Sequence, residues 1–197
     1  MNYLAHGFLA GPDPALVVGG VAGDWVKGPL PGLLPQDLAW GVALHRAIDA
    51  FAETHPAFCR SRARMSAGRR RYAGVLVDIF YDHLLARDWV EFSDEGLNAY
   101  CAGVYRQIGF RQHELPASSQ SALALMARED WLQSYRDLTG IADVLGRMSR
   151  RARRPNPLDG GEEEFMADPL GFTNDFRWWL EDAKSFAEGW RANIFGS

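Results

Sequence analysis

Apolar residues recur along this chain at intervals of three and four, the period of a helix, and alternating strand patterns are scarce. The spacing predicts a short helix over residues 3–9, stopped by Gly11 and Pro12, and a second over 15–26, in which Gly19, Gly20 and Gly23 signal close packing or a bend. Pro29 to Pro35 breaks the pattern. It resumes over 36–53, with Thr54 placed to cap a short helix after Pro56, and continues in a long central helix over 69–89. Ser93 reads as the cap of a helix over 95–108, and further helices are expected over 118–128 and 130–151. The segment RPNPLDGG, residues 154–161, reads as a loop. The last helix, 173–194, turns Phe176, Trp179, Leu180, Phe186 and Trp190 toward one side, which is the pattern of core packing. The expectation is an all-α, single-domain multi-helix bundle over residues 1–197.

Two of these helices carry charge where the pattern calls for leucine. HRAID, from His45, and DIFYDH, from Asp78, each set two titratable groups four residues apart and therefore on one face. His45 and Asp49 continue a stripe through Leu38, Val42 and Ala52, and Asp78 and Asp82 lie in a run from Ala73 to Ala86 that is apolar nearly all round. Each buried, unpaired carboxylate costs several kcal/mol, a large share of the roughly 5–15 kcal/mol that holds a domain together. A bound cation is the simplest compensation. With His6, Asp24 and His83 the candidate set reaches seven groups, and its imidazole and carboxylate donors suit Zn, Mn, Fe or Mg in an open site better than a closed structural zinc site. Taken singly, each group has a plainer partner: Asp24 can pair with Lys27, Asp49 with Arg46, and Asp78 and Asp82 with arginines.

Composition narrows the classes. The 197 residues are 47% hydrophobic, enough for a substantial core, and no run is long and apolar enough to suggest a membrane span or a secretion signal. Two widely separated cysteines, Cys59 and Cys101, give neither a disulfide framework nor a thiolate metal site, so the cytoplasm is the expected location. A net charge of −4 argues against a nucleic-acid binder, but arginine is concentrated at Arg60, Arg62, Arg64 and Arg69 to Arg71, and again at Arg147, Arg150, Arg151, Arg153 and Arg154. Each cluster reads either as a solvated helix face or as a docking surface for an acidic partner or a phosphate.

Four segments in order, MNYLAH at the N-terminus, GGVAGDWVKG from Gly19, GVALHRAIDAF from Gly41 and VDIFYDHLLARDW from Val77, resemble the acyl carrier protein phosphodiesterases. The resemblance continues more weakly through DWLQSYRDLTGI, from Asp130, and so spans most of the chain. It implies a divergent HD-domain-like phosphohydrolase fold, a divalent cation, with Mn²⁺ favoured over Mg²⁺ or Fe²⁺, and hydrolysis of the phosphodiester that joins 4′-phosphopantetheine to a serine of holo acyl carrier protein. It further implies that His6, Asp24, His45 and Asp78 hold the metal, with Asp82 an alternative to His6. Asp49 or Asp82 would orient the attacking water, His83 would protonate the departing serine oxygen, and Arg46 would contact phosphate. Arg60, Arg62 and Arg64 would attract the acidic carrier protein, with the second arginine cluster as the alternative.

The chain departs from the HD pattern in placing Asp82 before His83, and adjacent helical residues point about 100° apart. Gly20 stands where family members tend to carry asparagine. Two other readings use the same residues. One is a phosphohydrolase of nucleotides or other small phosphoesters; the other is a non-catalytic helical adaptor for an acidic protein.

Overall fold

The structure is a computed structural model that describes residues 2–152 and 154–196, so Arg153 of the second arginine cluster lies outside the described residues. It is all helix, with no strand among the described residues. The helices are α1 (Tyr3–Leu9), α2 (Pro14–Ala22), α3 (Gln36–Thr54), α4 (Pro56–Ala63), α5 (Ala73–Arg87), α6 (Leu97–Arg111), α7 (Ala117–Arg128), α8 (Trp131–Ser134), α9 (Leu138–Arg151), α10 (Glu162–Ala167) and α11 (Pro169–Phe195).

Helix α5 runs through the middle of the molecule, against α1, α4, α9 and α11, with Leu76, Val77, Phe80, Tyr81 and Leu84 fully buried. The aromatic stripe of α11 closes over it: Tyr81 meets Phe176 and Trp179, and Phe80 meets Phe172 edge to face. Phe176, Trp179 and Leu180 are buried as expected, while Phe186 and Trp190 are only partly covered. Helices α2 and α3 approach closely, because both present glycine at the crossing. A Cβ on Gly41 would fall 2.8 Å from the Gly19 Cα and 2.9 Å from the Ala15 carbonyl oxygen. Side chains there would hold the two backbones apart.

Local chemistry fixes the helix ends, in several places differently from the sequence expectation. Asp13 caps α2 by accepting from the amides of Ala15 and Leu16 at 2.9 and 3.0 Å, with Pro14 in the first turn. Helix α2 ends at Ala22, and Gly23–Trp25 continues as a 3-10 turn instead of helix to residue 26. His55, not Thr54, caps α4: its imidazole accepts from the Ala57 amide, while the Thr54 hydroxyl donates back to the Phe51 carbonyl within its own helix. Gly96 precedes α6, and Ser93 serves only the turn before it, accepting from the Glu95 amide. The helix expected over 130–151 is two helices, α8 and α9, beginning after Asp130 in the left-handed region at φ 48°. Helix α10 was not foreseen.

Candidate metal centre

Three segments far apart in sequence meet where α1, α2 and α3 converge. His6 comes from α1, Asp24 from the 3-10 turn after α2, and His45 and Asp49 from successive turns of α3. His6 Nε2 lies 3.1 Å from Asp49 Oδ1. His45 Nε2 lies 3.2 Å from Asp49 Oδ2 and 3.7 Å from Asp24 Oδ1. The two imidazoles stack with centroids 3.8 Å apart, and the ligating atoms of His6, His45 and Asp49 all fall within 4.8 Å of one another.

The backbone makes room for this cluster and aims it. A Cβ on Gly23 would sit 2.6 Å from His45 Nδ1 and closer still to the ring carbons, so only glycine allows the imidazole its place. The Gly20 carbonyl accepts from His45 Nδ1 at 2.8 Å, which fixes the tautomer and leaves Nε2 facing the carboxylates. The Gly19 and Gly41 contact brings α2 and α3 close enough for Asp24 and His45 to meet at all.

Charge is unevenly shared. Burial, reinforced by the neighbouring His45, lowers the pKa of His6 to about 4. Burial works against a charged His45 as well, but Asp24 and Asp49 outweigh it and raise its pKa to about 9. Asp24 falls to about 2 and Asp49 far below the usual carboxylate range, burial in each being overcome by the imidazoles. At neutral pH the cluster is therefore two carboxylates around one protonated and one neutral imidazole. The donor set fits a divalent cation: two imidazole nitrogens and the Asp49 carboxylate converge, with the Asp24 carboxylate 3.7 Å from His45.

The other sequence candidates stand apart in different degrees. Asp78, on α5, is held above the usual carboxylate range by burial and by the charges of Asp49 and Asp24, which puts it within electrostatic reach of the centre. Asp82 is fully buried and accepts from the amides of Leu4 and Ala5 at 3.0 and 2.8 Å, so it caps the first turn of α1. Its pKa is raised to about 8 by burial, against the pull of the two amides. His83 points elsewhere, its Nδ1 2.8 Å from the Tyr135 carbonyl oxygen and its ring edge-on to Phe165. Arg46 donates through Nη2 to the Val26 carbonyl at 3.0 Å, not to Asp49.

The first arginine cluster is largely spent within the chain. Arg60 and Arg64 both pair with the buried Asp175 of α11, Arg64 also with Asp168 at 2.7 Å, and Arg62 with Glu53 at 2.5 Å. In the second cluster Arg147 and Arg151 each sit 5.9 Å over the Trp131 ring, and neither they nor Arg150 and Arg154 form an ion pair among the described residues. Gly23, expected to mark close packing or a bend, packs against the His45 ring, and Trp25, which the sequence did not single out, stacks on Tyr3 at 5.0 Å beside Asp24. The run GDW, glycine then acid then aromatic, was the available signal.

Residues 1–183 match the family described as acyl carrier protein phosphodiesterase. The acyl carrier protein phosphodiesterase of Photorhabdus laumondii is 33% identical over 165 residues, 83% of each chain. Those of Yersinia pestis and Pectobacterium atrosepticum are 33% identical over 161 residues and 31% over 165, covering 81% and 83% of this chain and 83% and 86% of theirs. No solved structure matches. No helix among the described residues is long and apolar enough to cross a membrane. The length of the match, running through every segment that builds the His6, Asp24, His45 and Asp49 cluster, makes this chain a member of the acyl carrier protein phosphodiesterase family.

Proposed function

We propose that this protein is a divalent-cation-dependent hydrolase that cleaves 4′-phosphopantetheine from holo acyl carrier protein, releasing the apo protein. The observation that carries the reading is the convergence of His6, Asp24, His45 and Asp49 from three segments in a chain of this family. A cation held there, with Mn²⁺ the favoured ion and Mg²⁺ or Fe²⁺ the alternatives, would lower the pKa of bound water toward about 7 and offset charge on the phosphate oxygens.

The chain's own groups supply the rest. His6 is neutral at pH 7 and faces the cluster through Nε2, and His45 offers Nε2 once its proton is displaced. Asp24 is the carboxylate ligand from the 3-10 turn, and Asp78 completes the set from α5. Asp49, whose side chain is 47% exposed, is the solvent-facing member and accepts the proton of the attacking water. Arg46 spends one N–H on Val26 and keeps its other donors for a phosphate oxygen. Asp82, expected to orient water, and His83, expected to protonate the leaving oxygen, fit positioning roles better: Asp82 fixes α1 and so His6, and His83 ties α5 to the Tyr135 turn. The helical bundle, with its ligands on separate helices, supports a distant HD-like origin. The free thiols Cys59 and Cys101 suit the cytoplasm.

Docking of the acidic carrier protein fits the second cluster, at the end of α9, better than Arg60, Arg62 and Arg64, whose charge is already matched by carboxylates. The test is incubation with holo acyl carrier protein and Mn²⁺, Mg²⁺ or Fe²⁺, followed by intact mass. Loss of the phosphopantetheine mass, suppressed by chelator and by rising salt, is the expected result. An unchanged mass with every ion, alongside hydrolysis of small phosphoesters, would overturn the proposed substrate.

A further inference from the structure

We propose that the cleft between the Tyr3 and Trp25 stack and helix α9 holds the pantetheine arm of the substrate while its phosphate lies at the metal centre. The inference rests on the function proposed above and adds the place where the arm is recognised.

Position is the first argument. The cleft, of about 360 Å³, has Tyr3, Trp25, Trp131 and Met148 among its walls, with Arg147 and Arg151 beside them. Trp25 directly follows Asp24, and Tyr3 lies one turn before His6 on α1, so two wall residues of the cleft are chain neighbours of two residues of the cluster. Tyr3 and Trp25 stack nearly parallel, at 13°, and both line the cleft.

Chemistry is the second. The arm is an extended, uncharged chain with a gem-dimethyl group, a hydroxyl, two amides and a terminal thiol. It needs apolar contact along its length and a few donors for its two amide carbonyls. The cleft offers both, in a volume near the lower end of the roughly 300–1,000 Å³ typical of small-molecule sites.

The third argument is the state of the arginines. Arg60, Arg62, Arg64 and Arg69 all meet carboxylates, whereas Arg147 and Arg151 are held over the Trp131 face and keep their N–H groups unmatched by any acid among the described residues. Cation–π contact fixes a guanidinium without occupying its in-plane donors. Those donors remain for amide carbonyls in the cleft, and Arg150 and Arg154 lie exposed alongside for the carrier protein's acidic surface.

The experiment uses the full chain without added metal and pantetheine itself, which lacks the phosphate and so cannot bind through the cluster. Calorimetry or ligand-observed NMR should show saturable binding. Ala122→Trp, which fills the cleft from α7, and Ala152→Trp, at its exposed rim, should each weaken that binding by about tenfold or more, roughly 1.4 kcal/mol, with an unchanged melting temperature. Absence of pantetheine binding, or equal binding by the parent and both variants, overturns the assignment. The same proteins tested by intact mass on holo acyl carrier protein separate the two readings. Release of the prosthetic group by a protein that ignores pantetheine refutes the cleft and keeps the function. Binding that the variants weaken, without release under any ion, keeps the cleft as a pantetheine site and refutes the hydrolysis.

Discussion

Removing the Asp82 carboxylate tests whether this residue builds the centre or acts in it. Asp82 is fully buried, and its two oxygens take the amides of Leu4 and Ala5 at the start of α1. Asp82→Ala strands both donors without water, at about 1–3 kcal/mol each. The total of about 2–6 kcal/mol is large against the roughly 5–15 kcal/mol of a typical domain, and corresponds to a fall in melting temperature of roughly 5–20 °C. Asp82→Asn keeps one acceptor and should lose about half as much. Because α1 carries His6, loosening its first turn should also weaken Mn²⁺ binding by about 10–100-fold, as loss of a supporting hydrogen bond typically does.

The sign of the pH dependence follows from the same burial. The folded-state pKa of Asp82 is raised to about 8, well above the usual value near 4 in the unfolded chain. Between these values the unfolded chain has lost a proton that the folded one retains. The stability this group contributes is thus fully present below about pH 4 and is lost as pH rises through about 8, at up to about 1.4 kcal/mol per unit. Asp82→Asn cannot titrate, so the parent's advantage over it should narrow steadily across that window. Urea unfolding followed by circular dichroism at pH 5, 6, 7 and 8 measures this. The reasoning is refuted if Asp82→Ala melts with the parent; an Asp82→Asn variant with intact stability and Mn²⁺ affinity but no turnover would instead put Asp82 on the reacting atoms.

Gly23→Ala should force a methyl into the His45 ring, cost about 1–3 kcal/mol by overpacking and abolish tight Mn²⁺ binding, whereas Gly109→Ala, in open space on α6, should leave both unharmed; calorimetric titration with Mn²⁺ and a melting curve compare the pair. Cation binding must displace the His45 proton, so Mn²⁺ affinity should rise by about tenfold per pH unit up to about pH 9, and a pH-independent affinity would exclude His45 as a ligand. Removing Arg60 and Arg64 together leaves the Asp175 carboxylate buried without its cations, which should cost about 3–5 kcal/mol in urea unfolding while the salt dependence of association with holo acyl carrier protein stays as it was.

What the sequence by itself determined is everything that repeats at helical period. The α1 boundaries, most of α3 and the stripe on α11 were legible because amphipathic spacing, glycine and proline act over a few residues. His45 and Asp49 were readable as partners for the same reason: four residues on a helix is one turn, whatever surrounds it. The companion pair in DIFYDH shows the limit. Asp78 feels the charges of Asp49 and Asp24, whereas Asp82 caps a helix 77 and 78 residues away, a choice made by where α1 lands on α5. Arg60 and Arg64 looked like part of a docking face because their acids, Asp168 and Asp175, lie more than 100 residues on, and only folding α11 against α4 brings the charges together. Composition can place a carboxylate in an apolar helix; the tertiary structure alone decides which hydrogen bond or cation makes its burial tolerable, because that partner comes from another segment of the chain.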